Sequence, residues 1–152
     1  MTAPAGPVNT IRASWRGDHR FESGRPDGPR ALLDGDGAAA QAPPDMVLSA
    51  LAVCNAIDVV DILAKRRTPV ATLDVDVVGH RRAEHPRRFM AIELTYLITG
   101  DGIERAQAER AATLAFEKYC TVAASLAPDM DVHSVVVVNG ERGERVPLRT
   151  HA

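Results

Sequence analysis

The segment from Pro43 to Arg66, PPDMVLSALAVCNAIDVVDILAKR, carries the longest apolar run in the chain. Two prolines and Asp45 open it, as is typical of a helix N-terminus, and two cations close it. A helix that is apolar nearly all round is normally buried on most sides. We therefore predict a central helix around which the rest of the fold is built. Asp58 and Asp61 lie inside the run and argue against a membrane span.

Short alternating or β-branched segments flank this helix on both sides, and such segments are typical of strands. We expect strands at residues 8–15, 19–23, 30–34, 70–82, 89–99 and 132–138. A second helix is expected over residues 103–119, followed by a short helical turn that Pro128 stops. This order predicts an α+β fold, with antiparallel sheets around a long central helix plus a second helix. One copy has too few elements to cover such an apolar helix, so we expect an intertwined homodimer.

The chain has 152 residues, which is typical of one domain with a real core. We predict a single domain over residues 8–140. Residues 1–7 are small and proline-rich, so we expect them to be disordered. Residues 141–152 are expected to form a charged C-terminal tail without a pattern, and the GDGAAAQA segment at residues 35–42 is expected to be flexible.

The charge balance indicates which partners the chain lacks. Eighteen Lys and Arg against 20 Asp and Glu leave a formal charge of -2, so no basic field points to nucleic acid. No signal peptide is recognisable at the start of the sequence, and we expect a cytoplasmic protein. Cysteine pairs in that compartment are more often redox-active than structural. The five histidines are scattered and no Cys-x-x-Cys occurs, so we expect no metal site, and no cofactor is predicted.

The two cysteines, Cys54 and Cys120, both lie in apolar, helical surroundings. Free cysteine often behaves as a small buried hydrophobe, and the residues alone favour that interpretation over reactivity. Asp58 follows Cys54 by one helical turn, and a nearby anion disfavours the thiolate. A reactive Cys54 would therefore need cations from elsewhere, for which the candidates are Arg16, Arg20, Arg66 and Lys118.

Four segments together carry a resemblance to a known family. They are the apolar run with its AIDVVDIL sequence after Cys54, EKYCTV around Cys120, ASWRG at residues 13–17, and RRFMAIELTYLITG at residues 87–100. In this order they resemble the OsmC/Ohr family, the osmotically inducible and organic hydroperoxide resistance proteins. The similarity extends from Val8 to Asn139. The version of the second cysteine motif indicates a divergent OsmC-like subgroup.

The resemblance implies a thiol-dependent peroxidase of the stress response, on an intertwined homodimer with the OsmC-like fold. By that analogy Cys54 attacks the peroxide and becomes a sulfenic acid, and Cys120 resolves it as a disulfide. The implied substrates are organic hydroperoxides. The implied reductants are small or protein-bound dithiols, lipoyl groups among them.

The resemblance also implies an arginine and a glutamate near the thiolate, and here the sequence departs from the family pattern. Pro44 stands where the glutamate is expected, and the acid follows one position later at Asp45, about 100° further around a helix. The arginine is either Arg16 or Arg20. The predicted catalytic set is therefore Cys54, Cys120, Asp45, Arg20 and Arg16. The alternative function is a non-catalytic dimeric module on the same fold that binds an apolar or acyl-type ligand.

Overall fold

A computed structural model describes residue 2 and residues 6–150. Part of the predicted disorder at residues 1–7, and the last two residues of the predicted tail, lie outside the described residues. The described chain divides into two compact units, one up to Val47 and one from Leu48 onward. The single-domain boundaries at residues 8 and 140 stay a prediction.

The first unit contains a three-stranded antiparallel sheet in the order β1-β2-β3. The strands are β1 (Arg12–Trp15), β2 (Arg20–Gly24) and β3 (Arg30–Asp34). The third strand confirms the predicted bounds, whereas the first begins at residue 12 rather than residue 8. Gly17 and Asp18 join the first two strands with φ of 98° and 48°, the left-handed backbone that a tight hairpin turn requires.

The segment after β3 is organised by one carboxylate. Asp34 is buried, and it accepts hydrogen bonds from the backbone N–H groups of Asp36 (3.0 Å), Ala38 (3.3 Å) and Ala39 (2.9 Å). These bonds hold the pKa of the Asp34 carboxyl below its usual value, because they favour the charged form. The segment expected to be flexible is therefore a turn built around Asp34.

The central helix α1 spans Pro43–Lys65, as predicted to within one residue. Its buried residues recur at every fourth position and form one stripe: Leu51, Asn55, Val59 and Leu63. The opposite side leaves apolar side chains exposed: Val53 (58%), Ile57 (56%) and Val60 (37%). In one chain, the helix is thus buried along one face and not on most sides as expected.

Helix α1 is also long and apolar enough to cross a membrane, with 23 residues and a mean hydropathy of 2.0 in its most apolar window. The expectation that Asp58 and Asp61 exclude a span on composition is therefore wrong. The core helix of a soluble protein meets the same criterion, and the buried stripe of α1 packs in the core of the second unit.

The second unit contains a five-stranded sheet, in which β4-β5-β6-β7 are neighbours and β8 also pairs with β6. Its strands are β4 (Thr72–Arg81), β5 (Phe89–Thr99), β6 (Asp131–Val138), β7 (Glu141–Arg142) and β8 (Val146–Arg149). Most pairs are antiparallel, but β5 and β6 are parallel. The helical segment between β5 and β6 carries the chain back to the same end of the sheet, as a parallel pair requires.

The C-terminal segment is part of this sheet. The expectation that residues 141–152 carry no pattern is wrong, because β7 and β8 both pair with β6. In β8 only Val146 and Leu148 form an apolar alternation, with Pro147 between them, and this pattern is too short to predict a strand. Leu148 is buried in the core.

Three helical pieces connect β5 to β6: the last is the short helical turn predicted before Pro128, whereas the helix predicted over residues 103–119 is divided into two pieces. They are α2 (Arg105–Leu114), a π-helical turn (Ala115–Tyr119) and α3 (Thr121–Ser125). The core of the unit contains small side chains of α2 together with Ile92, Leu94 and Tyr96 of β5, and α2 packs on β6. The predicted α+β class, with antiparallel sheets and helices, is confirmed.

Candidate functional site

The two thiols, distant in sequence, meet in the second unit. Cys54 lies half-buried in the middle of α1, and Cys120 is buried where the π-helical turn passes into α3. Both are free thiols, and their side chains lie close enough for Cys54 to raise the pKa of Cys120. The structure therefore brings together the pair that the sequence predicted, on two different helical segments.

The backbone around Cys120 is shaped by the π-helical turn before it. The Cys120 N–H donates to the carbonyl of Ala115 at 2.8 Å, which is the wider hydrogen bond of a π turn. The chain then turns into α3, and the backbone N–H of Ala123 donates to the Cys120 sulfur at 3.2 Å. Single π turns inside helices occur frequently at functional sites.

A second donor reaches the same sulfur from α1. The side-chain Nδ2 of Asn55 lies 3.3 Å from the Cys120 Sγ and 2.9 Å from the carbonyl oxygen of Leu51. Asn55 is fully buried, and its Oδ1 has no hydrogen-bond partner within the part of the chain that the structure describes. The residue after Cys54 is thus linked to the other thiol.

The protonation of Cys120 is set mainly by burial. Burial raises the pKa of the Cys120 thiol to about 11, and the Ala123 N–H opposes this shift because it favours the thiolate. The nearby Cys54 side chain raises the pKa of Cys120 further, because it disfavours a second charge at the site. At neutral pH, Cys120 is therefore protonated.

Tyr96 of β5 belongs to the same surroundings. Its ring is fully buried, its hydroxyl has no hydrogen-bond partner among residues 6–150, and burial raises its pKa above the usual value. The charge of Cys120 is the second cause of that shift, which places the phenol near the sulfur. Neither Asn55 nor Tyr96 was predicted as a site residue. Asn55 carried a signal, because it is a polar side chain in an apolar run directly after Cys54; Tyr96 carried none.

The other three predicted site residues all belong to the first unit. Asp45 is exposed in the first turn of α1. Arg16 and Arg20 are exposed and pair with neighbouring carboxylates, Arg16 with Glu22 at 2.8 Å and Arg20 with Asp18 at 2.7 Å. The part that Asp45, Arg16 and Arg20 take at the thiols stays a prediction.

The described residues contain no set of side chains that could bind a metal ion. Over residue 2 and residues 6–150, no group of three or more His, Cys, Asp or Glu side chains lies close enough to hold an ion. What the arrangement can do chemically is thiol chemistry, because two adjacent cysteines can share one proton and form one disulfide.

Comparisons with known proteins agree on one family. The family model described as OsmC-like protein matches residues 35–134. Protein YhfA of Escherichia coli (strain K12) is 40% identical over 129 residues, which cover 84% of this chain and 96% of YhfA.

Two solved structures extend the likeness to the fold. A hypothetical protein from Aquifex aeolicus VF5 has a TM-score of 0.79 at 26% identity and covers 88% of this chain and 98% of its own. An organic hydroperoxide resistance protein OsmC from Legionella pneumophila has a TM-score of 0.61 at 16% identity, over 86% of this chain and 98% of its own. The predicted OsmC-like fold is confirmed.

Proposed function

The chain belongs to the OsmC family, and from this we propose that it is a thiol-dependent peroxidase that reduces organic hydroperoxides in the stress response. The observation that carries the proposal is the pair of free thiols, Cys54 and Cys120, that lie close enough to interact. The name of the Legionella pneumophila protein, organic hydroperoxide resistance protein, supports the substrate class.

The first step is oxidation of Cys54, the more accessible of the two thiols. Its thiolate attacks the outer oxygen of a hydroperoxide, so that an S–O bond forms and the O–O bond breaks. The alkoxide that leaves takes up a proton and departs as the alcohol. Cys54 is then a sulfenic acid, oxidised by two electrons, while the hydroperoxide is reduced by two.

The second step is resolution by Cys120. Its sulfur attacks the Cys54 sulfur, the S–S bond forms, the S–O bond breaks, and hydroxide combines with the Cys120 proton to leave as water. A dithiol then reduces the disulfide by thiol–disulfide exchange and becomes a disulfide itself. We propose small or protein-bound dithiols, lipoyl groups among them, as this reductant.

The roles of Asp45, Arg16 and Arg20 are part of the same proposal. One of the two arginines supports the thiolate and the peroxide, and Asp45 takes the place of the family's glutamate in orienting that arginine. The ion pairs that Arg16 and Arg20 make with Glu22 and Asp18 are exposed, and such pairs contribute little, so either arginine is free to exchange its partner. Arg16→Ala and Arg20→Ala should separate the two candidates by their loss of kcat/KM.

The direct test is to treat the protein with cumene hydroperoxide and map its thiols by mass spectrometry. The wild type should form a Cys54–Cys120 disulfide. Cys120→Ser should stop at a Cys54 sulfenic acid that dimedone traps, and Cys54→Ser should consume no peroxide. Wild-type protein that shows neither the disulfide nor the sulfenate would refute the peroxidase.

We propose further that the protein is a cytoplasmic homodimer. The exposed apolar side chains of α1 (Val53, Ile57 and Val60) support a second copy, because a contiguous apolar face on a helix is normally covered. Cytoplasmic dithiol systems would supply the reductant. Light scattering on the purified protein tests the dimer, and cell fractionation tests the compartment.

A second candidate function is binding of an apolar or acyl-type ligand without turnover. A groove of about 390 Å³ in the first unit favours it, lined mainly by Ala13, Phe21, Leu33 and Pro43 with His19 and Ser23 beside them. In this case Cys54→Ser should bind a fluorescent fatty acid as tightly as wild type, and peroxide consumption should stay at the background rate. A peroxide consumption rate that depends on Cys54 would exclude this candidate.

A further inference from the structure

We infer that Asn55 is a positioning residue for the resolving step: its side-chain amide holds the Cys120 sulfur beside Cys54 and stabilises the negative charge on that sulfur as it attacks. The inference rests on the proposed peroxidase cycle and assigns the residue that makes its second step fast. The Asn55 amide touches the Cys120 sulfur directly.

The orientation of the Asn55 amide is fixed by its own helix. Nδ2 lies 2.9 Å from the Leu51 carbonyl oxygen, and a carbonyl oxygen can only accept, so this end of the amide is the donor. The second N–H of the same nitrogen points to the Cys120 Sγ at 3.3 Å. Helix α1 therefore carries Cys54, the sulfur to be oxidised. The next residue on the same helix, Asn55, supplies a hydrogen-bond donor to the resolving sulfur of Cys120.

Cys120 needs such donors because its place in the core opposes its reaction. A buried sulfur keeps its proton, whereas the thiolate is the nucleophile. The Asn55 amide and the Ala123 N–H, at 3.3 Å and 3.2 Å from the sulfur, offset part of that penalty, since hydrogen bonds to a charged group favour its formation. One donor comes from α1 and the other from the α3 segment, so together they also fix where the sulfur lies.

The unsatisfied half of the amide indicates that Asn55 is not there for stability. Its Oδ1 is buried and has no partner in the described part of the chain, and leaving a buried acceptor unpaired is unfavourable for folding. Leucine has the same number and branching of side-chain heavy atoms as asparagine and would leave no unpaired group. The asparagine is therefore explained by the contact of its other half with Cys120.

In the resolving step the Cys120 thiolate displaces hydroxide from the Cys54 sulfenic acid. The S–S bond forms, the S–O bond breaks, and hydroxide takes the proton that Cys120 released, leaving as water. Asn55 neither loses nor gains an atom. Its side-chain N–H stays hydrogen-bonded to the charged Cys120 sulfur until the disulfide has formed. Removing one hydrogen bond to a charged group should slow this step by about 10- to 100-fold.

The experiment is single-turnover oxidation with cumene hydroperoxide, in which dimedone traps the sulfenate and mass spectrometry counts both products over time. Asn55→Leu removes the donor, and Asn55→Ser restores a shorter one. Val59→Ala is the matched control, because Val59 is equally buried on α1 and its side chain has no hydrogen-bond donor. We expect unchanged sulfenate formation at Cys54 in Asn55→Leu, slow disulfide formation, and partial recovery in Asn55→Ser.

A second readout does not depend on peroxide. In a Cys54→Ser background, the pH at which Cys120 reacts with iodoacetamide should move upward in Asn55→Leu and stay unchanged in Val59→Ala. The inference is overturned if Asn55→Leu leaves both the disulfide rate and this pH profile as they are, or if Val59→Ala changes them equally. If wild type forms no sulfenate at all, the peroxidase cycle fails first and the positioning role falls with it.

Discussion

At the Cys120 sulfur, burial and hydrogen bonding act in opposite directions on the charge. Burial is the larger effect and raises the pKa of Cys120 to about 11, against an ordinary value of 9.0. Because the folded pKa is the higher one, the protonated form is favoured by folding; the stability that this contributes is complete below about pH 9 and is lost as the pH rises toward 11. Cys120 is thus a poor nucleophile at neutral pH, because its thiol must lose a proton before it can react.

This predicts the alkylation profile of Cys120. In Cys54→Ser, the rate of modification of Cys120 by iodoacetamide should rise about tenfold for each pH unit above 7, because only the thiolate reacts. Peptide mass spectrometry at several pH values measures it. A rate that levels off below pH 9 would contradict the assigned burial effect. Denatured protein is the control, since there the profile should return to that of an ordinary cysteine.

At this scale, the cysteine pair was predictable and the groups around it were not. Cys54 and Cys120 were identified through two sequence motifs that a family resemblance connects. Asn55 bonds to a sulfur far away in the chain, and no local pattern shows which buried polar residue meets which distant partner. Tyr96 sits in an ordinary alternating strand, so its neighbourhood with Cys120 comes from the packing of β5 against the helices.

Among the elements, β8 holds the Cys120 segment in place. The Arg149 guanidinium donates to the carbonyls of Ala123 (2.9 Å) and Ala127 (3.2 Å) and lies 5.3 Å from the centre of the Phe116 ring. The last strand therefore ties down the chain on both sides of Cys120. The segment predicted as a charged tail therefore holds the candidate site in place. We call Arg149 and its contacts with Ala123, Ala127 and Phe116 the clamp.

Replacing the clamp tests this role. Arg149→Met keeps the unbranched apolar stem of the side chain and should lower the free energy of unfolding by about 1.5–3 kcal/mol, the range for hydrogen bonds to a charged group. Urea denaturation measures this, and hydrogen exchange should quicken at the α3 amides. The matched control is Arg145→Met, whose exposed pair with Glu93 at 3.0 Å should contribute less than about 1 kcal/mol. Equal losses in the two variants would contradict the clamp.

The turn after β3 predicts a pH dependence. Hydrogen bonds from the Ala39 and Asp36 N–H groups, with a further one from Ala38, hold the pKa of Asp34 below 3.8, so folding favours its charged form. The stabilisation is therefore complete above pH 3.8 and is lost as the pH falls through the lower, folded value. Limited proteolysis of residues 35–42 should become faster in that acidic range.

Asp34→Asn is the matched variant, because it keeps the shape and removes the charge. It should be cleaved faster than wild type at neutral pH and should show little further change in acid. Cleavage that is independent of pH in the wild type would contradict the role of the carboxylate. The variant alters only the first unit, and thiol oxidation at Cys54 serves as the check that the second unit is intact.

The elements show where a local pattern suffices and where it fails. Strand β5 was predicted to the residue, because its strict alternation buries every second side chain. The helix over residues 103–119 was not, because a π turn adds one residue per turn without changing the composition. Strands β7 and β8 are short, and their pairing with β6 is a tertiary contact.

For the whole molecule, the order of elements determined the α+β class, but the direction of β6 followed from the helical connection rather than from its own sequence. The helix α1 poses the remaining question at this scale. Its buried stripe accounts for one face, and Val53, Ile57 and Val60 leave the other face uncovered. Burying these three side chains against a second copy would remove apolar surface from water, which is the main source of association energy.

The proposed homodimer therefore predicts that a charge at the centre of this face separates the two copies. Ile57→Lys should weaken the dimer by about 2–5 kcal/mol, since a charge left unpaired in an interface is strongly unfavourable. The single chain should keep its thermal stability, because Ile57 is 56% exposed there. Val78→Lys is the matched control, at a β4 side chain that is 51% exposed. Sedimentation over a range of concentrations measures both; a dimer that persists in Ile57→Lys but dissociates in Val78→Lys would place the interface on the sheet instead.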